Sequence, residues 1–574
     1  MAHRDAKSAP DKHSAYAWLR GYPEEVDWYE AIEPRPLYCL IDDAVASYPD
    51  LGCTSFLGRK MSFRQVGAKV NEAAEALQRL GVVKGTRVGL FLPNAPTYII
   101  YYFAILKAGG IVVNFNPLYT VEELTFQARD SGVELMVTLD LQILCEKVEA
   151  LISDGVLPRA VIGSFTALLP PTKAALFRLF KGRDLARPLA SPVTDRLLIE
   201  ADILKPGSVP EPVEIDAEKD LAVLQYTGGT TGTPKGAMLT HYNVYANTEQ
   251  VSRWAPHLIT AQERFLGVLP FFHVFAMTVV MCVAIRKAAE IVILPRFDLM
   301  GALKLIQQTK PTVMPAVPTL FNAILNCPQV GKFDLSSLRF SISGGAPLPI
   351  TVKKRFEALS GCSVVEGYGL SETSPVVTCN PVGGPVRDGS IGMPLALTVV
   401  SLRDLEDPSV EVSQGEKGEV CVKGPQVMAG YWQRPEETQN VFTTDGFLRT
   451  GDVARMDADG MFSIEDRIKD LIICSGYNVY PRQVEDAIYA NPKVAEVTVI
   501  GIPDDYRGEA PKAFIRLKDG ETATAEEIME HLAKKLSKIE LPAQIEFRDE
   551  LPKTMIGKLS KKELREAEKQ AHSG

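Results

Sequence analysis

The residues best able to do chemistry form a run rich in glycine and threonine that ends in a lysine, Leu224-Gln-Tyr-Thr-Gly-Gly-Thr-Thr-Gly-Thr-Pro-Lys235-Gly236. Glycine allows tight turns and close backbone approach, threonine hydroxyls donate hydrogen bonds, and Lys235 supplies a compact positive charge. This composition suits a polyphosphate. The run is not a Walker A loop, because it lacks the Gly-Lys-Ser/Thr ending and its lysine follows a proline. The alternative is a flexible surface loop.

Residues 224 to 235 fit, at every position, the AMP-binding signature of the adenylate-forming superfamily of acyl-CoA synthetases, luciferases and peptide-synthetase adenylation domains. The resemblance continues in order from about Tyr16 to Glu568 and is strongest to the long-chain fatty acyl-CoA synthetase branch. It implies an acid–thiol ligase that activates a medium- or long-chain fatty acid with ATP. The acyl-adenylate would then react with coenzyme A, giving acyl-CoA, AMP and pyrophosphate, with Mg²⁺ as the metal cofactor.

The resemblance also assigns nucleotide-binding roles. In Tyr368-Gly-Leu-Ser-Glu372 the tyrosine would lie against adenine, and Glu372 would help to hold Mg²⁺, which prefers hard oxygen ligands. Ser371 replaces the usual threonine and keeps the hydroxyl that meets phosphate. Gly344-Gly-Ala346 would form the backbone wall of the adenine pocket, and Asp452 of Thr450-Gly-Asp452 would accept hydrogen bonds from the ribose. Alone, the Tyr368 motif would be a turn about as often as a site, the Asp452 motif would be interpreted as an exposed turn, and the Gly344 motif would be a weak signal.

Two further motifs would serve catalysis and domain movement. In Asp466-Arg467-Ile-Lys469-Asp470 the arginine would contact ribose and phosphate, and Lys469 would be the hinge. Lys558, in Pro552-Lys-Thr-Met-Ile-Gly-Lys558, would be the catalytic lysine that bridges the carboxylate and the α-phosphate. The alternative for this motif is a solvated basic tail. Gly476 would leave room for the thiol arm of CoA.

The predicted acyl pocket is apolar. Pro270-Phe-Phe-His273-Val-Phe-Ala276 resembles its border, with His273 near the reacting carboxylate, although a lone histidine in an apolar run is usually a core residue. Val313 to Thr319 would extend the wall. Neither segment contains a lysine, arginine or acidic residue, so a hydrophobic acyl chain fits better than an amino acid.

Together these assignments define the predicted site. The predicted catalytic residues are Lys558, Glu372 and His273, and the predicted metal ligands are Glu372 and Thr230. The predicted cofactor-binding residues are Thr227, Gly228, Gly229, Thr230, Thr231, Gly232, Thr233, Lys235, Gly344, Gly345, Ala346, Glu366, Gly367, Tyr368, Gly369, Ser371, Asp452, Arg467, Lys469 and Gly476.

The elements that must position these residues follow an α/β pattern. A helix over Phe63 to Leu80, a strand over Arg87 to Leu92, a helix over Thr97 to Lys107 and a strand over Ile111 to Asn114 predict layered, largely parallel sheets. Beyond about Glu411, glycine-punctuated strands predict a β-barrel-like subdomain. We therefore expect a large N-terminal domain over residues 1–466 and a small mobile α+β domain over residues 467–574, hinged at 467–470.

Composition narrows the partners and the location. The chain has 574 residues and a formal charge of −9, which argues against nucleic acid as a partner. Nine cysteines are scattered without a CxxC pair, which indicates reduced thiols. The polar N-terminus lacks the apolar core of a signal peptide, so we expect a cytoplasmic protein. Phe265 to Ile285 is apolar enough to imitate a membrane span, but Pro270 favours a buried strand followed by a buried helix.

Several alternatives remain open at this point. Residues 168–183 are apolar and basic, and they predict either a helix that rests on the inner face of a membrane or an ordinary packed helix. A homodimer is also open. The alternative functions are a fatty acyl-AMP ligase that passes the acyl group to a carrier protein, an aryl or other carboxylate–CoA ligase, a luciferase-like oxygenase and a nucleotide-binding regulator.

Overall fold

The computed structural model describes residues 16–227, 234–383, 387, 389–475, 477–504, 506–553 and 559–572. In the first part of the chain, helices and strands alternate as the sequence predicts. The elements up to residue 203 are α1 (Cys39–Ser47), β1 (Gly52–Phe56), β2 (Arg59–Ser62), α2 (Phe63–Arg79), β3 (Arg87–Leu90), α3 (Pro96–Lys107), β4 (Ile111–Asn114), α4 (Val121–Ser131), β5 (Leu135–Leu139), α5 (Gln142–Ser153), β6 (Ala160–Gly163), α6 (Pro171–Lys181), β7 (Leu197–Ile199) and α7 (Glu200–Ile203).

The middle of the chain contributes most of the predicted site. Its elements are β8 (Leu221–Thr227), β9 (Lys235–Thr240), α8 (His241–Trp254), β10 (Arg264–Gly267), a π-helical segment (Ala276–Cys282), α9 (Val283–Arg286), β11 (Glu290–Ile293), α10 (Leu299–Thr309), α11 (Pro318–Leu325), β12 (Phe340–Ser343), α12 (Ile350–Ser360), β13 (Ser363–Gly369), β14 (Val376–Cys379) and β15 (Met393–Pro394).

The remaining elements form an antiparallel region and a small C-terminal unit. They are β16 (Val399–Arg403), β17 (Lys417–Lys423), β18 (Gly430–Tyr431), α13 (Pro435–Val441), β19 (Leu448–Met456), β20 (Phe462–Arg467), β21 (Ile472–Cys474), β22 (Tyr477–Val479), α14 (Pro481–Tyr489), β23 (Val494–Asp504), β24 (Gly508–Leu517), α15 (Ala525–Leu532), β25 (Gln544–Phe547) and α16 (Lys561–His572).

The sheets confirm the predicted α/β class. Within the described residues, the largest sheet has the order β18-β9-β8-β4-β3-β5-β6-β7. Its strands from β8 to β7 run parallel, whereas β9 and β18 are antiparallel additions at one edge. Two smaller sheets have the orders β10-β11-β1-β2 and β12-β13-β14-β15. Where a barrel-like subdomain was expected, β16, β17, β19 and β20 form an antiparallel sheet.

The residues after 470 have apolar clusters of their own. One cluster includes Val497, Ile515 and Ile528, and another includes Phe514 and Leu564. A region with a separate core can move as a unit. The boundary at 466 and 467 and the mobility of this unit remain predictions.

The segment that imitates a membrane span is part of the protein core. It begins in β10 and continues, after a turn, through the π-helical segment into α9, whose residues Val283 to Ile285 are buried. The predicted strand followed by a buried helix is therefore confirmed, although its first turns are π-helical. Among the described residues, no helix combines the length and the apolar character needed to cross a bilayer.

One prediction for stability comes from a glycine at the start of β15. At Gly392 the backbone φ is +84° and a Cβ would lie 2.0 Å from the carbonyl carbon and oxygen of Cys379. Gly361, at the end of α12, has a φ of +72° but open space around it. We expect Gly361→Ala to lower the free energy of unfolding by about 1–2 kcal/mol through backbone strain alone.

Gly392→Ala should lower it by about 1–3 kcal/mol more, because the added methyl group meets backbone. Urea unfolding of both variants, followed by tryptophan fluorescence, measures the difference. Equal midpoints for the two variants would contradict the close approach at Gly392.

Candidate active site

The two ends of the glycine-threonine run lie opposite each other in one hairpin. Thr227 ends β8, Lys235 begins β9, and the two residues are paired across the ladder. This pairing presents the run at the carboxyl end of a central strand, where α/β sheets usually bind ligands. Gly228, Gly229, Thr230, Thr231, Gly232 and Thr233 lie outside the described residues, as do Gly476 and Lys558.

The ammonium group of Lys235 is held by two residues that follow β17. It forms an ion pair with Glu437 of α13, and it lies 5.4 Å from the centre of the Tyr431 ring. A cation above an aromatic face is attracted by the ring quadrupole. Lys235 is mostly buried, with 16% of its side chain exposed. The charge predicted to bind phosphate therefore already has a carboxylate partner.

Glu372 lies on the other side of Tyr431. The Tyr431 hydroxyl donates a hydrogen bond of 2.8 Å to Glu372 Oε1, and the backbone N–H of Met428 donates to the Glu372 carbonyl. Burial and the neighbouring carboxylate raise the pKa of Tyr431, so the phenol stays a donor. Tyr431 thus joins the residue predicted to bind phosphate to the residue predicted to bind metal.

A single carboxylate with substrate oxygens is a common way to hold Mg²⁺. In the described part of the chain, no group of three or more His, Cys, Asp or Glu side chains could hold a metal ion on its own. Glu372 is partly buried, and the Tyr431 hydroxyl donates to one of its two carboxylate oxygens, Oε1. The donor set therefore fits an ion that arrives with triphosphate oxygens.

A second polar cluster joins Tyr368, Asp452 and Arg467. Asp452 and Arg467 are paired across β19 and β20, so the register of this ladder brings them together. Asp452 is 2% exposed, and it accepts from the Tyr368 hydroxyl at 2.6 Å and from Arg467 Nε at 2.8 Å. Burial and Asp452 raise the pKa of Tyr368. The three residues predicted to meet adenosine are therefore neighbours in space.

The predicted adenine wall follows from the parallel pairing of β12 with β13. Ser343 is paired with Glu366, so the residues after each strand leave the sheet side by side. Gly344 lies against the Phe275 ring, where a Cβ would approach it to 3.1 Å. At Gly369 a Cβ would lie 1.9 Å from the Pro375 carbonyl oxygen, so no other residue fits without moving β14. Gly345, Ala346 and Gly367 continue these two backbone segments.

Glu366 is buried at the border between this wall and the C-terminal unit. Its Oε2 accepts from the backbone N–H of Leu348 at 3.2 Å, and 9% of the residue is exposed. Burial raises the pKa of Glu366 to about 7, against the opposing effect of the Arg482 guanidinium in α14. A carboxyl of this kind changes charge near neutral pH.

The predicted hinge lies in a short 3₁₀ turn, Ile468–Asp470. Asp466 accepts backbone hydrogen bonds from Arg467 at 2.8 Å and from Arg482 at 2.7 Å. Asp470 forms an ion pair of 2.8 Å with Arg565 of α16. Polar contacts thus fix both ends of the turn in this arrangement, while the Lys469 side chain between them is exposed.

A buried hydrogen-bond network positions His273. Gln225 of β8 donates to the Phe272 carbonyl at 3.0 Å and accepts from the amide of Asn114 at 2.9 Å. The Tyr98 hydroxyl donates to the Phe271 carbonyl at 3.0 Å. Gln225 precedes Thr227 by two residues. The same strand, β8, therefore leads into the run predicted to bind phosphate and orients the turn that contains His273. The sequence gives no signal for this long-range contact.

An apolar cavity of about 20 Å³ lies behind the predicted adenine wall. Val313 and Pro315, from the predicted acyl-pocket segment, line it, and no charged residue does. Val376 and Cys379 of β14 also line it, and β14 pairs with β13 at Gly369 and Gly367. The other lining residues are Val251, Trp254, Ala255, Leu258, Phe265, Val279, Val283, Phe340, Ile342 and Leu395.

Comparisons with known proteins identify the family to which the whole chain is similar. The AMP-binding enzyme family matches residues 41–432, and the AMP-binding enzyme C-terminal domain matches residues 483–558. A long-chain-fatty-acid–CoA ligase from Bacillus subtilis is 41% identical over 569 residues, covering 97% of this chain and 98% of that protein. One from Escherichia coli O157:H7 is 38% identical over 565 residues, covering 96% and 98%. ATP-bound MatB from Rhodopseudomonas palustris superposes with a TM-score of 0.80 at 28% identity, covering 94% and 99%.

The ion pair between Lys235 and Glu437 predicts that Glu437 competes with phosphate. Glu437→Gln should increase the affinity for MgATP by about two- to fivefold, because a partly exposed ion pair is worth up to about 1 kcal/mol. Titration calorimetry measures the dissociation constant. Glu436→Gln is the matched control, since Glu436 is the exposed neighbour on the same helix. Equal affinities for both variants and the unmodified protein would contradict competition at Lys235.

Proposed function

The chain belongs to the AMP-binding enzyme family, and from this premise we propose that it is a long-chain fatty acid–CoA ligase. It converts a fatty acid, ATP and CoA into acyl-CoA, AMP and pyrophosphate through an acyl-adenylate. The observation that carries the proposal is the uncharged cavity directly behind the strand of Gly367 and Gly369. An acid whose tail enters at this cavity, once the lining side chains have moved, presents its carboxylate beside the nucleotide.

The two polar clusters divide the work of holding ATP. Lys235 exchanges Glu437 for the phosphates, and Asp452 and Arg467 hold the ribose side. The aromatic ring of Tyr368 offers a stacking surface to adenine, next to the backbone of Gly344. Glu372 and the triphosphate would together hold Mg²⁺, which would neutralise phosphate charge as pyrophosphate leaves. Thr230 is the second proposed metal ligand.

The adenylation step needs a positive charge near the α-phosphate, where negative charge increases in the transition state. We assign this role to Lys558, and a role in orienting the carboxylate to His273. After adenylation the C-terminal unit rotates about Lys469, withdrawing Lys558 and bringing Gly476 towards the CoA thiol. The short polar contacts of Asp466 and Asp470 are the ones that such a rotation would rearrange.

The cavity constrains how the acid binds. A volume of about 20 Å³ is close to that of one water-sized site, which is far less than a long acyl chain needs. The lining side chains must therefore move when the chain enters. Each buried methylene contributes about 0.8 kcal/mol, so a long chain supplies enough free energy to open such a pocket.

The names of the relatives bear on which molecule accepts the acyl group. Relatives that are 38% and 41% identical over nearly their whole length are named CoA ligases, which favours free CoA over a carrier protein as acceptor. The cytoplasmic location, the homodimer and the membrane contact through residues 168–183 remain proposals.

The test of the function is pyrophosphate release from MgATP with saturated acids of two to eighteen carbons and with aromatic acids, each with and without CoA. We expect multiple turnovers only with CoA, with a maximum at medium or long chains. Lys558→Ala should slow adenylation by about 10²–10³-fold but spare thioester formation from a supplied acyl-adenylate. A single turnover unaffected by CoA would instead indicate a ligase that serves a carrier protein.

Filling the cavity should change the chain-length preference. Ala255 lies after the end of α8, lines the cavity and is 4% exposed. Ala255→Leu should lower kcat/KM for a sixteen-carbon acid, relative to an eight-carbon acid, by about tenfold. The added side chain removes space for one or two methylenes of the acyl chain, and each lost methylene contact costs about 1–3 kcal/mol of binding. Ala246→Leu is the control, since Ala246 is buried in α8 but does not line the cavity. The same ratio for both variants would place the acyl chain elsewhere.

A further inference from the structure

A lysine lies above an aromatic ring at the border between the antiparallel sheet and the C-terminal unit. Lys417 begins β17, and its Nζ is 3.6 Å from the centre of the Tyr480 ring, which immediately precedes α14. Among the described residues this is the shortest distance from a cationic group to a ring centre, and the next is 4.7 Å. A cation within about 6 Å of a ring centre is attracted by the ring, more strongly when water is excluded. Lys417 is mostly shielded from water, with 23% of its side chain exposed.

Glu465 joins this contact from β20. Its Oε2 lies 2.9 Å from Lys417 Nζ and accepts a hydrogen bond of 3.2 Å from Gln483 Nε2, in the first turn of α14. Lys417 and Glu465 belong to the sheet that precedes the predicted hinge. Tyr480 and Gln483 belong to the unit that follows it. These four residues, the Lys417 cluster, therefore connect the two sides of the hinge directly.

The predicted rotation about Lys469 would separate the two halves of the Lys417 cluster. Tyr480 lies 11 positions after Lys469 and would move with the C-terminal unit, while Lys417 would stay with the sheet. Lys417 would then lose the ring but keep Glu465, which also lies 3.7 Å from Arg455 Nε. The contact with Tyr480 thus stabilises the orientation of this structure and no orientation in which the unit has rotated away.

We propose that Lys417 is a positioning residue, which holds the C-terminal unit in the orientation of this structure and releases Tyr480 when the enzyme changes between its two half-reactions. The proposal rests on the proposed function, because the two orientations would serve the two half-reactions. A contact that exists in only one orientation shifts the population towards that orientation. Lys417 therefore favours the half-reaction that uses this orientation and slows the other, without touching either substrate.

An ordinary ion pair within the sheet is the alternative for Lys417. It would account for the contact with Glu465 but would give Tyr480 no part in the behaviour of the enzyme. The other end of β17 offers a matched comparison, because Lys423 Nζ lies 5.6 Å from the centre of the Phe447 ring. Both of those residues precede the predicted hinge, so Lys423→Ala removes a cation from an aromatic ring without changing the border.

Lys417→Ala tests the proposal when the two half-reactions are measured separately. Adenylation is followed as pyrophosphate release in a single turnover without CoA, and thioester formation as acyl-CoA made from a supplied acyl-adenylate. We expect the two rate constants to change by about three- to tenfold in opposite directions. Tyr480→Leu should have the same effect. Lys417→Arg should restore both rates, because a guanidinium also stacks on an aromatic face.

Limited trypsin digestion of the protein without substrates gives a readout that needs no activity. Arg467 and Lys469 of the predicted hinge are exposed. Cleavage there should be about three- to tenfold faster in Lys417→Ala, because the C-terminal unit leaves the sheet more often. The double variant with Tyr480→Leu should be no faster than Lys417→Ala alone, since both substitutions remove the same contact. Lys423→Ala should behave as the unmodified protein does in all of these measurements.

Two results would overturn the role of Lys417. One is a pair of half-reaction rates that both fall, or both stay unchanged, in Lys417→Ala, as expected of a residue that only supports the fold. The other is equal digestion of Lys417→Ala and Lys423→Ala. If the unmodified protein formed no acyl-adenylate, the proposed function would fail instead, and the digestion would still decide whether Lys417 holds the C-terminal unit.

Discussion

The pairing of β18 with β9 is the contact on which the nucleotide site depends. This strand contributes only two residues, Gly430 and Tyr431, and its register places Tyr431 opposite Ala237. Ala237 lies two positions after Lys235, so both side chains occur on the same face of β9. Tyr431 can therefore lie beneath the Lys235 ammonium and donate to Glu372 at the same time. Through this edge strand, the lysine predicted to bind phosphate and the carboxylate predicted to bind metal share Tyr431 as a neighbour.

The rest of the site is built outwards from the same hairpin. Gln225 of β8 fixes the turn that carries His273, and β9 leads directly into α8, which forms one wall of the apolar cavity. Asn247 and Gln250 of α8 make buried hydrogen bonds to backbone carbonyls at Val376 and Ala396. These contacts fix the position of α8, and with it the cavity, relative to the strands predicted to bind the nucleotide. Rigid placement of this kind suits a reaction in which a carboxylate oxygen must be aligned with the α-phosphorus of ATP as pyrophosphate leaves.

The second polar cluster links this rigid part to the C-terminal unit. Arg467 pairs with Asp452 on one side, and three residues later Asp470 pairs with Arg565 of α16. Buried Glu366 lies near Arg482 of the same unit, and its raised pKa reflects the cost of a buried charge. A chain of polar contacts therefore connects the cluster predicted to bind the nucleotide with the C-terminal unit.

The sequence by itself determined the features that local chemistry specifies. The helix over Phe63 to Leu80 and the strand over Ile111 to Asn114 follow from periodicity, and the structure has them within one residue. The motifs around Lys235, Glu372 and Asp452 are local strings with a fixed order, so they could be recognised without coordinates. The sequence predicted that Asp452 and Arg467 bind the same nucleotide, but it did not predict that they contact each other. Their contact depends on which residues of β19 and β20 are paired, and no local pattern in the sequence specifies that pairing.

Only the tertiary structure decided the partners that these residues meet. Tyr431 and Glu437 lie 59 and 65 positions after Glu372, and both are at least 196 positions after Lys235. They belong to a two-residue strand and a short helix, and the sequence of these elements does not indicate their role. The small volume of the cavity depends on side-chain packing, and the outward direction of Leu179 and Phe180 depends on which face of α6 the core accepts. The cavity volume and the direction of these side chains depend on packing between distant parts of the chain, which no local pattern encodes. The motifs, in contrast, can be recognised locally because a bound nucleotide contacts a few adjacent residues at a time.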